Sequence, residues 1–483
     1  MGRHLAIIGA IGTGFFVLTM AILLLTVGQA AAADVRRDRL DIVKIALSVV
    51  AGVGGMVALV VAYRRQRVVE DAHRHTQTVE ADKAHDALER RITDAYRHGV
   101  EQLGSDRAAV RLGGMYALER LAQQNPAHRQ IVVDVLCAYL RMPYELTEAL
   151  GADDAAAVTE IDSADSRSQA RSAQEEREVR LTAQRILARH LRLATPGQTT
   201  DTSDSPWTDV DLDLTGAVLI AFDLEQCQLR SLRMSLVIFV DDATFRNVRV
   251  GDAATFRAAT FQAAADFRGA AFAGDADFGT TTFGGQAAFD RSAFAGDAWF
   301  GGVTFASDTG FDDAVFSSAA GFHSAKFLGT TAFDGVTFRQ VAGFHGATFQ
   351  EIAGFDTARF GGDAWFDGVC FNQDAGFRRV CFSHTVGFRA AVFGGSAWFP
   401  GSRFDGNAWF DASTIARAAW FINSHFSRGA WFDDPSYVRA RFDDATLDTA
   451  HTASPRQWPS GWGVTTHAAT AGTAKLVRGG RRH

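Results

Sequence analysis

Through residues 256–437 a large apolar side chain returns at alternating spacings of five and six. One register runs Phe256, Phe267, Phe278, Phe289 and onward to Phe432 in steps of eleven. The other runs Phe261, Phe272, Phe283, Phe294 and onward to Tyr437 in the same step, with only Ile415 and Tyr437 replacing Phe. Two residues before each of these stands a small side chain, as at Ala254, Ala259, Ala265, Ala270, Ala276, Val303 and Ser402. A helical face needs spacings of three and four. Helical-repeat solenoids need units of about 20 to 47 residues. A period of five plus six is left with one economical reading: a short strand and a corner, repeated, with the chain coiling on itself. The interior of such a coil consists of the periodic rings, among them Phe256, Phe261, Phe267, Phe272, Phe344 and Phe349.

Upstream the spacing is a plain five, through Leu214, Leu219, Leu224, Leu229, Met234 and Phe239, and Phe442 and Leu447 return to it downstream. The segment DLTGAVLIAFDLEQCQL has the form A-x-L-x-x, and FRAATFQAAADF (residues 256–267) reads F-x-x-A-x-F-x-x-x-A-x-F. Over residues 207–448 the chain resembles the pentapeptide-repeat family, in particular its Phe-rich branch. The resemblance implies a mainly β fold: a right-handed quadrilateral β-helix. In that fold the Leu or Phe and the small residue two before it point inward, and the other positions face solvent.

Stacked rings bury a large apolar area at favourable spacings, and backbone groups pair with the coils above and below, about 4.8 Å away. If four faces make one coil, two eleven-residue units make one turn, and the region holds roughly 11 coils in a rod ~50 Å long. The extra residue in every second face departs from the plain repeat and should push a corner outward.

Formal net charge is −7, unevenly spread. Residues 207–448 hold 18 basic and 29 acidic side chains, a balance of −11, whereas residues 449–483 hold five basic and no acidic ones. That basic tail is expected to be disordered. The four cysteines, Cys137, Cys227, Cys370 and Cys381, form no CxxC pair, which suits a reduced compartment. Cys370 and Cys381 are eleven apart and belong on opposite faces of a coil.

Residues 5–27 are almost wholly apolar, and a second apolar run, about 42–63, ends in Arg64, Arg65 and Arg67. Residues 1–67 therefore read as two transmembrane helices joined by a short loop. The segment GQAAAAD offers small residues for signal cleavage, but the apolar stretch exceeds the usual ~7 to 15 residues of a signal core, so a retained helix is expected. Arg3 and the Arg64–Arg67 cluster favour cytoplasmic ends, while Arg36, Arg37 and Arg39 argue the other way. Either as a hairpin or as a single span after cleavage, the C-terminal side falls inside. The expectation is a multi-pass cell-membrane protein, bound to the lipid bilayer, with its repeat domain in the cytoplasm.

Residues 68–104 read as a charged stalk helix, suited to self-association as a coiled coil. Residues 105–194 read as a small helical domain with a disordered insert at about 151–174, and 195–206 as a linker. Its first helix carries Arg111, Gly113, Gly114, Tyr116, Glu119 and Arg120, in the order R-x-G-G-x-Y-A-L-E-R. This resembles a segment of membrane-attached pentapeptide-repeat proteins. The paired glycines should admit a second helix at close range, at some cost in helix propensity.

No G-x-S-x-G, H-E-x-x-H, P-loop or dinucleotide fingerprint occurs. No catalytic, cofactor-binding or metal residue is assigned, and the chain does not read as an enzyme. His323 and His345, twenty-two apart, should stack on the surface, and Asp312, Asp313, Asp433 and Asp434 sit at corners. The residue before the Phe should face outward. It is Gly at Gly310, Gly321, Gly343, Gly354 and Gly376, and Trp at Trp299 and Trp365, then at Trp398, Trp409, Trp420 and Trp431 in four successive copies. Those last four form the candidate interaction surface, since exposed apolar patches mark contact sites; packing under the tail is the competing explanation. The expected function is a membrane-anchored scaffold with an unknown protein partner and no direct nucleic-acid contact. The alternative is DNA mimicry, because some relatives of the resembled family imitate DNA and bind a topoisomerase. The acidic rod suits that alternative, but the anchor and the modest charge density do not.

Overall fold

A computed structural model describes residues 2–27, 35–144, 164–193, 206–433, 437, 439–449, 456–465 and 473–478. The chain divides into two units, Met1–Asp94 and Ala95–His483.

Helix α1 (Gly2–Val27) opens the first unit and helix α2 (Val35–Leu103) supplies the rest of it. The second apolar run and the stalk are thus one continuous helix, because no Gly or Pro cap separates them. Among the described residues one segment, Val43–Val68, is long and apolar enough to cross a membrane.

The second unit begins with the last turns of α2. They pack on helix α3 (Ala108–Gln124), followed by α4 (Arg129–Arg141) and α5 (Ala164–Leu191). Gly114 does what its sequence context implies. A Cβ there would lie 2.8 Å from the Gly99 carbonyl oxygen and 2.9 Å from Gln102 Cβ, so only glycine lets α3 approach α2 this closely. Met115, Leu118, Leu136, Leu140, Ala183 and Leu187 are wholly buried in the three-helix core. The expected disorder over 151–174 is corrected in part. Residues 164–174 form the first turns of α5, where three Ala, two Gln and two Arg outnumber the weaker helix formers Ser and Asp; 151–163 lie outside the described residues, as do 194–205 of the expected linker.

From Asp211 the chain winds through four sheets of 12, 10, 9 and 13 strands, parallel except for the last two strands of the 13-stranded one, visited in turn as first, second, third and fourth faces. The first face starts at Asp211–Asp213, the second at Val218–Leu219, the third at Ala243–Thr244 and the fourth at Gln228–Leu229. The plain-five region pairs twenty residues apart, Leu219 with Phe239. The five-plus-six region pairs twenty-two apart, Phe272 with Phe294 and Phe283 with Phe305. Two units per coil are therefore as the spacing requires. Every periodic Phe is buried, with Phe344 at 0% and Phe349 at 1% exposure, and the preceding Ala254, Ala265, Val303 and Ser402 are buried as well. Successive rings within a column are parallel, as for Phe322 and Phe344 at 4.8 Å and 4°. Neighbouring columns meet edge to face, as for Phe333 and Phe344 at 5.6 Å and 90°. Each ring thus satisfies both favoured aromatic geometries at once.

The corners alternate. After the first and third faces comes a tight turn with one residue in the left-handed region, such as Ala258 (φ 55), Asp313 (φ 57) or Gly335 (φ 69). After the second and fourth faces comes a wider bend that holds the sixth residue. Stacked bends approach so closely that a Cβ on Gly285 would lie 2.5 Å from the Ala263 carbonyl carbon. The residue after each wide bend needs a partner for its N–H, and an acidic side chain of the previous coil often supplies it. Asp297 N–H donates to Asp275 Oδ1 (2.9 Å), Thr330 to Asp308 (2.9 Å) and Ser396 to Asp374 (2.8 Å).

The two ends are closed by non-repeat chain. At the start, Gln130 on α4 and Gln184 on α5 use their side-chain amides as substitute backbone. Asp211 N–H donates to Gln130 Oε1 (2.8 Å), while Gln130 Nε2 donates to the Asp211 carbonyl (2.9 Å). Ile220 N–H and carbonyl pair likewise with Gln184, at 3.1 and 2.8 Å. Trp207 stacks on His190 (centroids 4.3 Å, 8°) and its N–H donates to the His190 carbonyl (2.7 Å). At the far end the described parts of the tail, expected to be disordered, instead form strands; 450–455, 466–472 and 479–483 lie outside the described residues. Arg456–Gln457 continues the first face, Thr473–Arg478 runs antiparallel to Thr446–Asp448, and Trp462–Thr465 pairs with Thr473–Arg478. The physical reason is the open end of the Phe stack. Trp458 packs against Phe426, Phe432 and Phe442 at 5.4 to 5.7 Å, and Ala474 and Leu476 are buried.

Candidate interaction surface

The outward position before each Phe forms a column along every face. On the third face it reads Asp266, Ala288, Gly310, Ala332, Gly354, Gly376, Trp398, Trp420. On the first face it reads Asp277, Trp299, Gly321, Gly343, Trp365, Gly387, Trp409, Trp431. The four tryptophans thus fall as two pairs on opposite faces of the same end of the solenoid. Trp398 and Trp420 stack at 5.1 Å and 4°, Trp409 and Trp431 at 3.5 Å and 7°.

Each pair is extended by an arginine. The Arg389 guanidinium carbon lies 4.7 Å from the Trp409 ring centroid, and that of Arg441 lies 5.3 Å from the Trp420 centroid. All four indoles are half-buried, unlike Trp299, which is 40% exposed. Burial here comes from neighbours on the same face rather than from the interior, which the Phe columns already fill. Local packing and partial surface exposure therefore coexist in these four rings. The Trp420 Nε1 donor has no partner among the described atoms. Sequence reasoning found the tryptophans but not the arginines, whose spacing carries no periodic signal.

The glycines of these columns gain a reason. A side chain at Gly321 or Gly387 would collide with the ring of Trp299 or Trp365 from the coil before. At Gly354 a Cβ would lie 2.9 Å from Asp334 Oδ1. That aspartate belongs to a ladder in which each carboxylate accepts the N–H of its counterpart one coil on: Asp334 N–H to Asp312 (2.9 Å), Asp356 to Asp334 (2.8 Å), Arg378 to Asp356 (2.8 Å). Burial, then the neighbouring carboxylates, push Asp312 and Asp334 above the ordinary carboxylate value. Asp266 sits at a different spot, against the desolvation it suffers. Arg268 and Arg246 grip it at 2.6 Å each and hold it down to about 2.

Asp313 occupies a left-handed corner, Asp433 accepts the Ala412 N–H (2.9 Å), and Asp434 lies outside the described residues. His323 and His345 do not stack on one another. His323 lies over Gly301, and His345 tilts toward Trp365 at 6.3 Å, because the glycine floor leaves each ring a nearer surface. Cys370 and Cys381 stand on the second and fourth faces. Burial pushes the Cys137 and Cys227 thiols up to about 12, which leaves them inert as nucleophiles at neutral pH.

Residues 333–380 match the family model for pentapeptide repeats, with 9 copies. No curated protein and no solved structure matches the chain.

Proposed function

The repeat region of this chain is a pentapeptide-repeat solenoid, and on that premise we propose that the protein is a membrane-anchored, non-enzymatic scaffold. Its rod holds protein-contact surfaces in fixed positions. The observation that carries this reading is the pair of Trp–Trp–Arg stacks on opposite faces of one end. Large aromatic side chains with an arginine beside them are the composition of interface hot spots. They stand here on a framework that does not need them, since glycine fills the same outward position in other coils. Val43–Val68 supplies one membrane span and Gly2–Val27 a second, with Arg3, Arg64, Arg65 and Arg67 keeping the solenoid in the cytoplasm. A partner protein then meets the solenoid at the membrane surface, or a second copy does.

The test is cross-linking and co-purification of the full chain from membranes, for the wild type and for a variant with Trp398, Trp409, Trp420 and Trp431 all changed to Gly. A contact surface predicts that the variant keeps its β-rich circular dichroism and loses its partner or its self-association. Retention of every cross-linked species would reject the surface. Carbonate extraction should leave the wild type in the membrane pellet, and a reporter after His483 should report cytoplasm; release into the supernatant would reject the anchor.

A further inference from the structure

The helical cap carries a cationic groove for which the scaffold reading has no use. Between α3, α5 and the first coil lies a groove of about 650 Å3, lined in part by Tyr116, Arg185, Arg189, Arg192 and Asp223. A second depression of about 560 Å3 shares Tyr116 and Arg189 with it and adds Glu119 and Arg120. Arg185 and Arg189 are four apart, so they lie along one side of α5, and Arg192 follows the last residue of the helix. Arg120 comes from α3. Four guanidiniums therefore border the paired grooves, against the two carboxylates of Glu119 and Asp223.

Their occupations differ. Arg189 is held by Glu119, which also binds His190 at 2.6 Å. Arg192 donates to Asp223 (2.7 Å) and to the Glu225 carbonyl (2.9 Å). Arg185 reaches Glu178 only at 4.0 Å, with its side chain 68% exposed. The Arg120 side chain makes no hydrogen bond or ion pair among the described residues. Among the groups that line the grooves the positive charges exceed the negative by two. The packing of α3 on α5 rests on buried apolar residues and does not need Arg120 or Arg185. Between them the Tyr116 ring is half exposed, at 52%.

We propose that these grooves bind a small anionic ligand with a planar ring, of the nucleoside diphosphate class. Arg120 and Arg185 take the phosphate oxygens, for which the guanidinium fork is suited, and Tyr116 stacks on the ring. Arg189 and Arg192, already oriented by carboxylates, form the walls. The space falls within the ~300 to 1,000 Å3 of small-molecule sites. Because Ala221 and Asp223 of the first coil also line the groove, a bound ligand would tie the cap to the solenoid.

The test is isothermal titration of the full chain in detergent, with ADP and with pyrophosphate as probes. Saturable ADP binding is expected, weakened at least about tenfold by Arg120→Gln with Arg185→Gln for both probes. Tyr116→Ala should weaken ADP and leave pyrophosphate unchanged. The ligand-free melting temperature of the double variant should match that of the wild type; a lower one would make the arginines structural and overturn the assignment. Absence of saturable ADP binding, or equal affinity in the double variant, would also overturn it. Pyrophosphate binding as tightly as ADP would remove the ring contact, and the nucleotide class with it.

Discussion

The middle of the solenoid and its two ends solve the same problem by different means. In the middle, every coil is closed by the next: Phe344 lies between Phe322 and Phe366 at 4.8 Å on either side, and the backbone of each face pairs with its own repeat. At the ends no next coil exists. The start is closed by glutamine amides and by the Trp207–His190 stack, the finish by antiparallel strands and by Trp458. A repeat can specify its own stacking but not its own termination. That requires residues that imitate a coil without continuing it, and an unclosed parallel edge would invite pairing with other chains.

The comparison can be broken most severely in the middle. Phe344→Asp buries a charge with no partner and should leave little folded solenoid by circular dichroism. At the ends, losses should be smaller and local. Trp458→Ala removes the ring that covers three phenylalanines and should cost about 3 kcal/mol, read as a lower midpoint in urea. Gln184→Ala leaves the Ile220 N–H and carbonyl unpaired and should cost ~1–3 kcal/mol. Hydrogen exchange should show the first coil opening before the central ones in this variant, and uniform protection would mean that the glutamine does not cap. Either end variant losing as much as Phe344→Asp would erase the distinction between middle and ends.

The middle was legible in the sequence for the reason that it repeats. The strand-and-corner repeat followed from the Phe spacing, whereas the four faces, the inward small residues and with them the two-unit coil followed from the resemblance to pentapeptide repeats. The ends were not legible, because their partners are single residues with no period. Gln130 and Gln184 look like ordinary helix-surface residues until Asp211 and Ile220 are seen beside them. The strands after residue 455 read as a basic tail because charge was more visible than the apolar Trp458, Ala474 and Leu476. The arginines over Trp409 and Trp420 escaped notice for the same reason, being twenty or more residues away in sequence.

The smallest effects lie on the surface and separate two kinds of aspartate. Asp334 has its pKa raised by burial, so its contribution to stability is fully present below the ordinary carboxylate value and lost as pH rises through the raised one. Asp334→Asn keeps an acceptor for the Asp356 N–H and should raise the melting temperature slightly at neutral pH, with the gain vanishing in acid. Asp266 is the opposite case. Its pKa is lowered from 3.8 to about 2, so its stabilisation is present above 3.8 and lost as pH falls through that window. Asp266→Asn should therefore lower the melting temperature at neutral pH and flatten the acid limb. The same sign for both variants at neutral pH would contradict the assigned environments.

The inside of the solenoid holds the fold and its outside is free for contacts, and adjacent residues test that division most directly. Phe344 is buried in the column, and His345, the next residue, is exposed. Urea denaturation of Phe344→Ala and His345→Ala should give losses of about 3–5 kcal/mol for the first and within about 0.5 kcal/mol of zero for the second. Equal losses at the two positions would contradict the inside and outside of this solenoid, and with them the surface on which the proposed scaffold depends.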